Sequence, residues 1–323
     1  TLPSENNSYF YPSIGTSFIF SELIPKSDVF SYGKARVSWA RVGNDANPYQ
    51  IYNTYSYAGL YRGMPKTQPG RVFKNPDLKN EETNSLEVGL EAGFIQNRIS
   101  LNLSYYNTSS INQIIQVGLS PASGYNTRVY NAGEITNKGV EIMVGGKILT
   151  GAFQWDLNLN WSMNKSMVES LYPGIDRYRL NNIQNASKYA EVGQPFGVVY
   201  GRVQVVDSIT GQGLVNGLNG VQIYEGDTYM GGTEPKWIGG INNSFRWKGF
   251  NLNFLIDFRK GGGLYSWTTY RQGQYGIGAY TLEGRDEYLM SNRILGESNN
   301  ERRGVGLYGN DYVRGDRAQG ALY

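Results

Sequence analysis

The chain contains no cysteine and no histidine. Without cysteine there is no disulfide, no thiolate nucleophile and no cysteine metal site. Without histidine the usual general base near neutral pH and the commonest metal ligand are both gone. Most hydrolase and metalloenzyme constellations cannot be assembled, so no catalytic residue, metal or cofactor is expected. Long apolar runs are also missing. Nothing approaches the roughly 18 consecutive apolar residues of a spanning helix, which excludes a helical membrane protein and leaves a barrel open. The net charge of +3 comes from scattered basic residues, which make no stripe for nucleic acid. The opening residues, "TLPSENNSYF", carry neither an initiator methionine nor a signal peptide. The expectation is a piece of a longer chain, with its compartment to be argued from pattern.

What the chain does have is alternation. In "QWDLNLNWSMN" (154–164), Trp155, Leu157, Leu159, Trp161 and Met163 fall on one side, and Gln154, Asp156, Asn158, Asn160, Ser162 and Asn164 on the other. Strand side chains alternate between faces, so this is a β-strand with one apolar and one polar surface. In a soluble sandwich the apolar face is core and the polar face meets water. In a membrane barrel the apolar face meets lipid and the polar face lines the lumen. Abundant glycine (42) and tyrosine (26) with only 40% hydrophobic residues suit a barrel, because half of each spanning strand must be polar.

The pattern repeats in pairs. Leu86, Val88, Leu90, Ala92 and Phe94 share a face, and after "IQNR" the run Ile99, Leu101, Leu103, Tyr105 resumes it. "KGVEIMVGGKI" (138–148) pairs with the opening strand across residues 149–151. Trp237, Ile241, Phe245 and Trp247 lead into Lys248-Gly249, and Phe250, Leu252, Phe254, Ile256 and Phe258 lead out. "SIGTSFIFS" and "GKARVSWA" alternate more loosely around a link near 22–33. These make eight strands in four hairpins, each run about 9 to 11 residues, the length a tilted strand needs to cross hydrocarbon.

The expected fold is therefore all-β: part of a large antiparallel transmembrane β-barrel with short periplasmic turns and long extracellular loops. Residues 1–262 hold the eight strands with long loops at about 45–83, 119–136 and 166–236, and 263–323 form an extracellular loop and tail. Phe94, Phe153, Trp155, Trp247 and Phe250 flank the tight turns, where an aromatic girdle would sit. Parity makes everything between 164 and 237 one excursion, so "QPFGVVYGRVQVVD" (194–207) should be a hairpin arm within that loop.

Three motifs resemble the SusC/RagA family of TonB-dependent outer-membrane transporters of Bacteroidota: "NPDLKNEETNSLEVGLEAGF" (75–94), "NAGEITNKGVEI" (131–142) and "EPKWIGGINNSFRWKGFNL" (234–252). The resemblance covers most of residues 10–262. Locally, Asn75-Pro76-Asp77 and Asn137-Lys138-Gly139 are expected to restrict the backbone where loops enter strands. The chain departs from the family at Asn80, where many members carry an aromatic. It departs again in "NGLNGVQIYEGD" (216–227), whose acidic spacing does not match a calcium loop. The resemblance implies an outer-membrane location, import of oligosaccharides or oligopeptides, a SusD-like surface lipoprotein, and coupling to TonB through an N-terminal region and plug outside this chain. Two further readings stay open: a passive porin or structural barrel, and a soluble β-rich binding module.

Candidate chemistry is sparse. Glu87 and Glu91 share a polar face but stand roughly 13 Å apart at 3.3 Å per residue, too far for a glycosidase pair at about 5 to 9.5 Å. "GQGLVNG" (211–217) lies on no βαβ unit and reads as a turn, and "RGD" (314–316) is too short to weigh. The loops "YQIYNTYSYAGLY" (49–61) and "LYSWTTYRQGQYGIGAY" (264–280) are rich in aromatics, whose faces and hydroxyls suit sugars or peptides. The expected substrate contacts are Tyr52, Tyr55, Tyr57, Tyr61, Tyr265, Trp267 and Tyr270, converging over the barrel mouth near Asp257 and Arg259. The competing expectation is that these side chains pack on one another or on a lipoprotein lid.

Overall fold

The computed structural model describes residues 2–25, 27–183, 186–206, 213–216, 223–275, 277–279 and 305–308. Tyr280, the "RGD" stretch, and parts of 211–217 and 216–227 lie outside them. Two compact units are distinguished: Thr1–Tyr178 with Glu191–Phe196 and Pro235–Gly261, and Arg179–Ala190 with Gly197–Glu234 and Gly262–Tyr323.

The first unit is built on an eight-stranded antiparallel sheet: β1 (Ser13–Phe18), β2 (Phe30–Asn44), β3 (Glu81–Phe94), β4 (Ile99–Ile111), β5 (Glu134–Thr150), β6 (Phe153–Ser170), β7 (Trp237–Trp247) and β8 (Phe250–Lys260). Each strand pairs with its neighbour in chain order, so all four expected hairpins form and join side by side. Among the described residues, β1 and β8 are the edges of this sheet. The stretch around "QPFGVVYGRVQVVD" is no wall strand. Its Val198–Gln204 segment pairs with Ala186–Glu191 and Tyr224–Gly232 in a separate four-stranded sheet.

Cross-strand partners share a face, so the register sorts the side chains into rows. One row runs Ala92, Leu101, Val144, Leu159, Ile241, Ile256; the adjacent row runs Glu91, Asn102, Met143, Asn160, Gly240, Asp257. From the Phe153–Trp247–Phe250 row up to the row of Leu90, Leu103, Ile142, Trp161, Gly239 and Phe258, the apolar face carries no charged side chain. Its amide, Asn243, is buried and accepts a bond from the Trp155 indole N–H at 3.2 Å. That bond matters because an unpaired polar group away from water costs about 1–3 kcal/mol.

The turns explain their residues. Lys248 and Gly249 both have positive φ, 43° and 84°, the geometry of the two-residue turn that matches strand twist. Ile95, Gln96 and Asn97 are all left-handed as well. The preceding link braces them: Ile95 N–H bonds the Val29 carbonyl at 2.7 Å and Asn97 N–H bonds Ser31 Oγ at 3.2 Å. On the other side the Arg98 guanidinium donates to the Lys147 and Ile148 carbonyls, both at 3.1 Å.

One motif reading changes and another gains a role. Asn137-Lys138-Gly139 lies inside β5 and does not punctuate a strand entry. A Cβ at Gly139 would collide with the Tyr106 ring and hydroxyl and stand 2.6 Å from the Met163 carbonyl. The missing side chain is a slot: Tyr106 crosses it to donate to Asn164 Oδ1 at 3.1 Å, and Asn164 in turn donates to Asn137 Oδ1 at 3.2 Å. Asn75-Pro76-Asp77 is a turn as expected, with Asp77 N–H bonded to Asn75 Oδ1 at 3.0 Å. It does more than turn. It delivers Leu78, fully buried, into a loop core with Leu2, Ala46, Ile51 and Val129. Next to it, Asn131 accepts from Lys79 N–H and donates to its carbonyl, both at 2.7 Å. The first and second family-like motifs therefore clamp each other.

Candidate functional site

The polar face of the β1–β8 sheet is the grooved one. A concavity of about 790 Å³ is lined by Glu91, Asn97, Asn102, Asn158, Asn160 and Asn242 among others. A second, of about 550 Å³, is lined by Glu141, Asn160, Ser162, Asp257 and Arg259. Both sit on rows opposite the charge-free face. The strands place these groups by alternation alone: every second residue of β3 to β8 turns to this face, and that set is rich in asparagine, serine and charge.

The β2–β3 end of this face is ionic. Lys34 Nζ lies 2.9 Å from Glu91, and Arg36 reaches Glu87 at 2.8 Å, Glu91 at 3.8 Å and Ser104 Oγ at 2.6 Å. Glu87 and Glu91 are thus committed to cations, and neither faces a free carboxylic partner. Towards the tight turns, Arg246 and Asp156 pair at 2.8 Å. Lys34 and Arg36 were absent from the sequence-derived site. Their signal was the alternation of Lys34, Arg36 and Ser38 against Ala35, Val37 and Trp39, which the looser pattern nearby obscured.

Asp257 and Arg259 stand on the polar face of β8, both lining the 550 Å³ concavity. Tyr55, Tyr57 and Tyr61 lie on one strand of a loop hairpin, Tyr55–Tyr61 with Met64–Pro69, and Tyr52 lies just before it. All four are well exposed, so their rings are open to solvent. Arg62 sits 5.6 Å over the Tyr61 ring.

The other aromatic group belongs to the second unit. Trp267 and Tyr270 lie on the short helix Trp267–Gln274 and stack at 5.1 Å with 21° between their planes. The Arg271 guanidinium covers Trp267 at 4.4 Å and approaches Tyr270 and Tyr275, each at 5.9 Å. Spacing of i, i+3 and i+4 brings these three to one helix face, a signal the sequence carried in a stretch read as loop. Tyr265 is half-buried, and its hydroxyl has no partner among the described residues. Burial pushes its phenol above the usual tyrosine range, Tyr270 adds to the shift and Arg271 opposes it. The two aromatic sets belong to different units. A third aromatic ladder, Tyr189, Tyr200 and Tyr229, joins edge to face at 5.6 Å per step on the four-stranded sheet.

Residues 1–282 match the family described as TonB dependent receptor-like, beta-barrel. TonB-dependent receptor P3 of Formosa agariphila is 27% identical over 296 residues, covering 82% of this chain and 29% of the relative. TonB-dependent receptor SusC of Bacteroides thetaiotaomicron is 26% identical over 178 residues, 51% of this chain and 18% of the relative. Among solved structures, the RagAB peptide transporter superposes with a TM-score of 0.73 at 22% identity, over 86% of this chain and 32% of that one. The chain spans less than a third of the length of these relatives.

Proposed function

The chain belongs to the TonB-dependent receptor-like β-barrel family of the outer membrane, and from that premise we propose that it forms part of the wall of a SusC-like importer. The proposed cargo is an oligosaccharide or oligopeptide, taken up with a SusD-like surface lipoprotein and driven through TonB. The observation that carries this reading is the division of one sheet into a charge-free apolar face and a grooved face of amides and ion pairs. Amide and hydroxyl groups exchange hydrogen bonds with sugars and with peptide backbones alike, so the lining favours polar oligomers without selecting between the two. The likeness to a peptide transporter weighs towards peptide.

Cargo contact in this proposal falls to Tyr52, Tyr55, Tyr57 and Tyr61 in the first unit and to Tyr265, Trp267 and Tyr270 in the second. Asp257 and Arg259 receive cargo on the wall. Stacking on exposed rings supplies affinity without demanding one residue sequence, which suits a carrier that must also release. The test is uptake by cells carrying Tyr55→Ala with Trp267→Ala. Lost uptake with the lipoprotein still co-purifying supports cargo contact; a complex that falls apart, or normal uptake, rejects it. Uptake that survives loss of TonB would turn the reading to a passive porin.

A further inference from the structure

The outer rim of the apolar face carries an unexplained pair of charges. Lys138 on β5 and Lys165 on β6 are direct cross-strand partners, and both side chains are exposed. They continue the apolar sets Ile142, Val140 and Met163, Trp161, so they point to the same side as those residues. Like charges placed opposite each other destabilise a sheet pair. Their own row continues through Asn107 to Leu86, and among the described residues no carboxylate stands in it or in the rows next to it on that face. The row below is Val88, Tyr105, Val140 and Met163, and the row above is Asn84, Ser109, Thr136 and Met167. Glu134 and Glu169 stand two rows further out and accept bonds from Ser109 at 2.7 Å and Thr136 at 2.8 Å.

Their height is informative. Phe153 to Met163 spans about 33 Å of strand, or about 25 Å of height at the tilt of a membrane barrel, matching the apolar band such barrels show. Lys165 lies six residues beyond Leu159, near the middle of that band. That is about 20 Å along the strand and about 15 Å in height, where hydrocarbon gives way to headgroups. A lysine there lays its stem on apolar surface and lifts its ammonium outward. Lys260, at the end of β8, joins them. It continues Phe254, Ile256 and Phe258 on the same face and pairs with Trp237, an interfacial residue type. Two strand spacings separate β6 from β8, about 10 Å.

We propose that Lys138 and Lys165, flanked by Lys260, form a docking site for the phosphorylated headgroup of an outer-leaflet lipid. The phosphate bridges the two opposed ammonium groups, and the acyl chains lie along Tyr105, Val140, Met163 and the apolar rows below. A phosphate resolves the repulsion that the sheet otherwise bears, and the adjoining apolar face selects a lipid over a free anion. The site lies outside the barrel and is independent of what the lumen carries.

The test is native mass spectrometry of protein purified from outer membranes, titrated with phosphatidic acid and, separately, with phosphatidylcholine. Phosphatidic acid should bind in preference, with affinity falling roughly fivefold for Lys165→Gln and roughly 25-fold for Lys138→Gln with Lys165→Gln. Lys138→Arg with Lys165→Arg should retain binding, and Lys66→Gln in a loop hairpin should change nothing. Should the double glutamine variant fail to fold, Lys165→Gln alone decides. Binding within twofold of wild type in the glutamine variants overturns the proposal. So does displacement by inorganic phosphate at equal concentration, which would mark a simple anion site.

Discussion

The two faces of the β1–β8 sheet come from the same strands and share every backbone hydrogen bond, yet they obey opposite rules. On one, five successive rows carry apolar and aromatic side chains without a charge, and the amide Asn243 is closed off by Trp155. On the other, the rows are laced with ion pairs and side-chain hydrogen bonds from Lys34–Glu91 to Arg246–Asp156. The difference teaches that polarity is tolerated on the first face only when internally satisfied, whereas the second accepts groups that water can also satisfy. Substitutions should therefore read the face before they read the residue type.

The largest contrast is expected at neighbouring positions of β6. Leu159→Arg should cost about 2–4 kcal/mol in folding into vesicles, as charge on a lipid face does. Asn160→Arg, one residue away on the grooved face, should stay within about 0.5 kcal/mol. Next in size is Gly139→Val, which fills the slot that Tyr106 crosses and meets the Met163 carbonyl; overpacking of this kind costs about 1–3 kcal/mol. Combining it with Tyr106→Ala should give a smaller loss than the two added separately. Trp155→Phe keeps most of the ring but strips Asn243 of its donor, at a cost of about 1–2 kcal/mol. Trp155→Phe with Asn243→Leu should recover most of it, since no polar group is then left unpaired. The smallest effect is expected at Arg246→Ala. Its pair with Asp156 is half-exposed, so denaturant titration should register under about 1 kcal/mol.

The hairpins and the two faces were legible because side-chain direction in a strand has a period of two, and nothing outside the strand is needed to read it. Trp155 to Met163 and Phe250 to Phe258 state their faces residue by residue. What escaped depends on partners distant in sequence. Gly139 looks like turn punctuation until β4 brings Tyr106 across it. Asn131 looks like loop filler until Lys79, 52 residues earlier, meets both ends of its amide. Strand ends were hard to place for a related reason. β6 runs on to Ser170 through Lys165 and Glu169, because above the apolar band the outward face turns polar and alternation no longer announces a strand. The ion pairs of Lys34 and Arg36 needed the β2–β3 register. For the aromatic groups, ring-rich composition marked the segments, and helical spacing at Trp267, Tyr270 and Arg271 was the additional clue.

The assignment of faces is tested most directly by spin labels placed singly at introduced cysteines from 155 to 161, a scan made simple by a chain without cysteine. In vesicles, labels at 155, 157, 159 and 161 should be relaxed by oxygen, which partitions into lipid. Labels at 156, 158 and 160 should respond to a water-soluble nickel chelate or be shielded from both. A two-residue period with that phase is the predicted result. The opposite phase, or no period at all, would contradict the account.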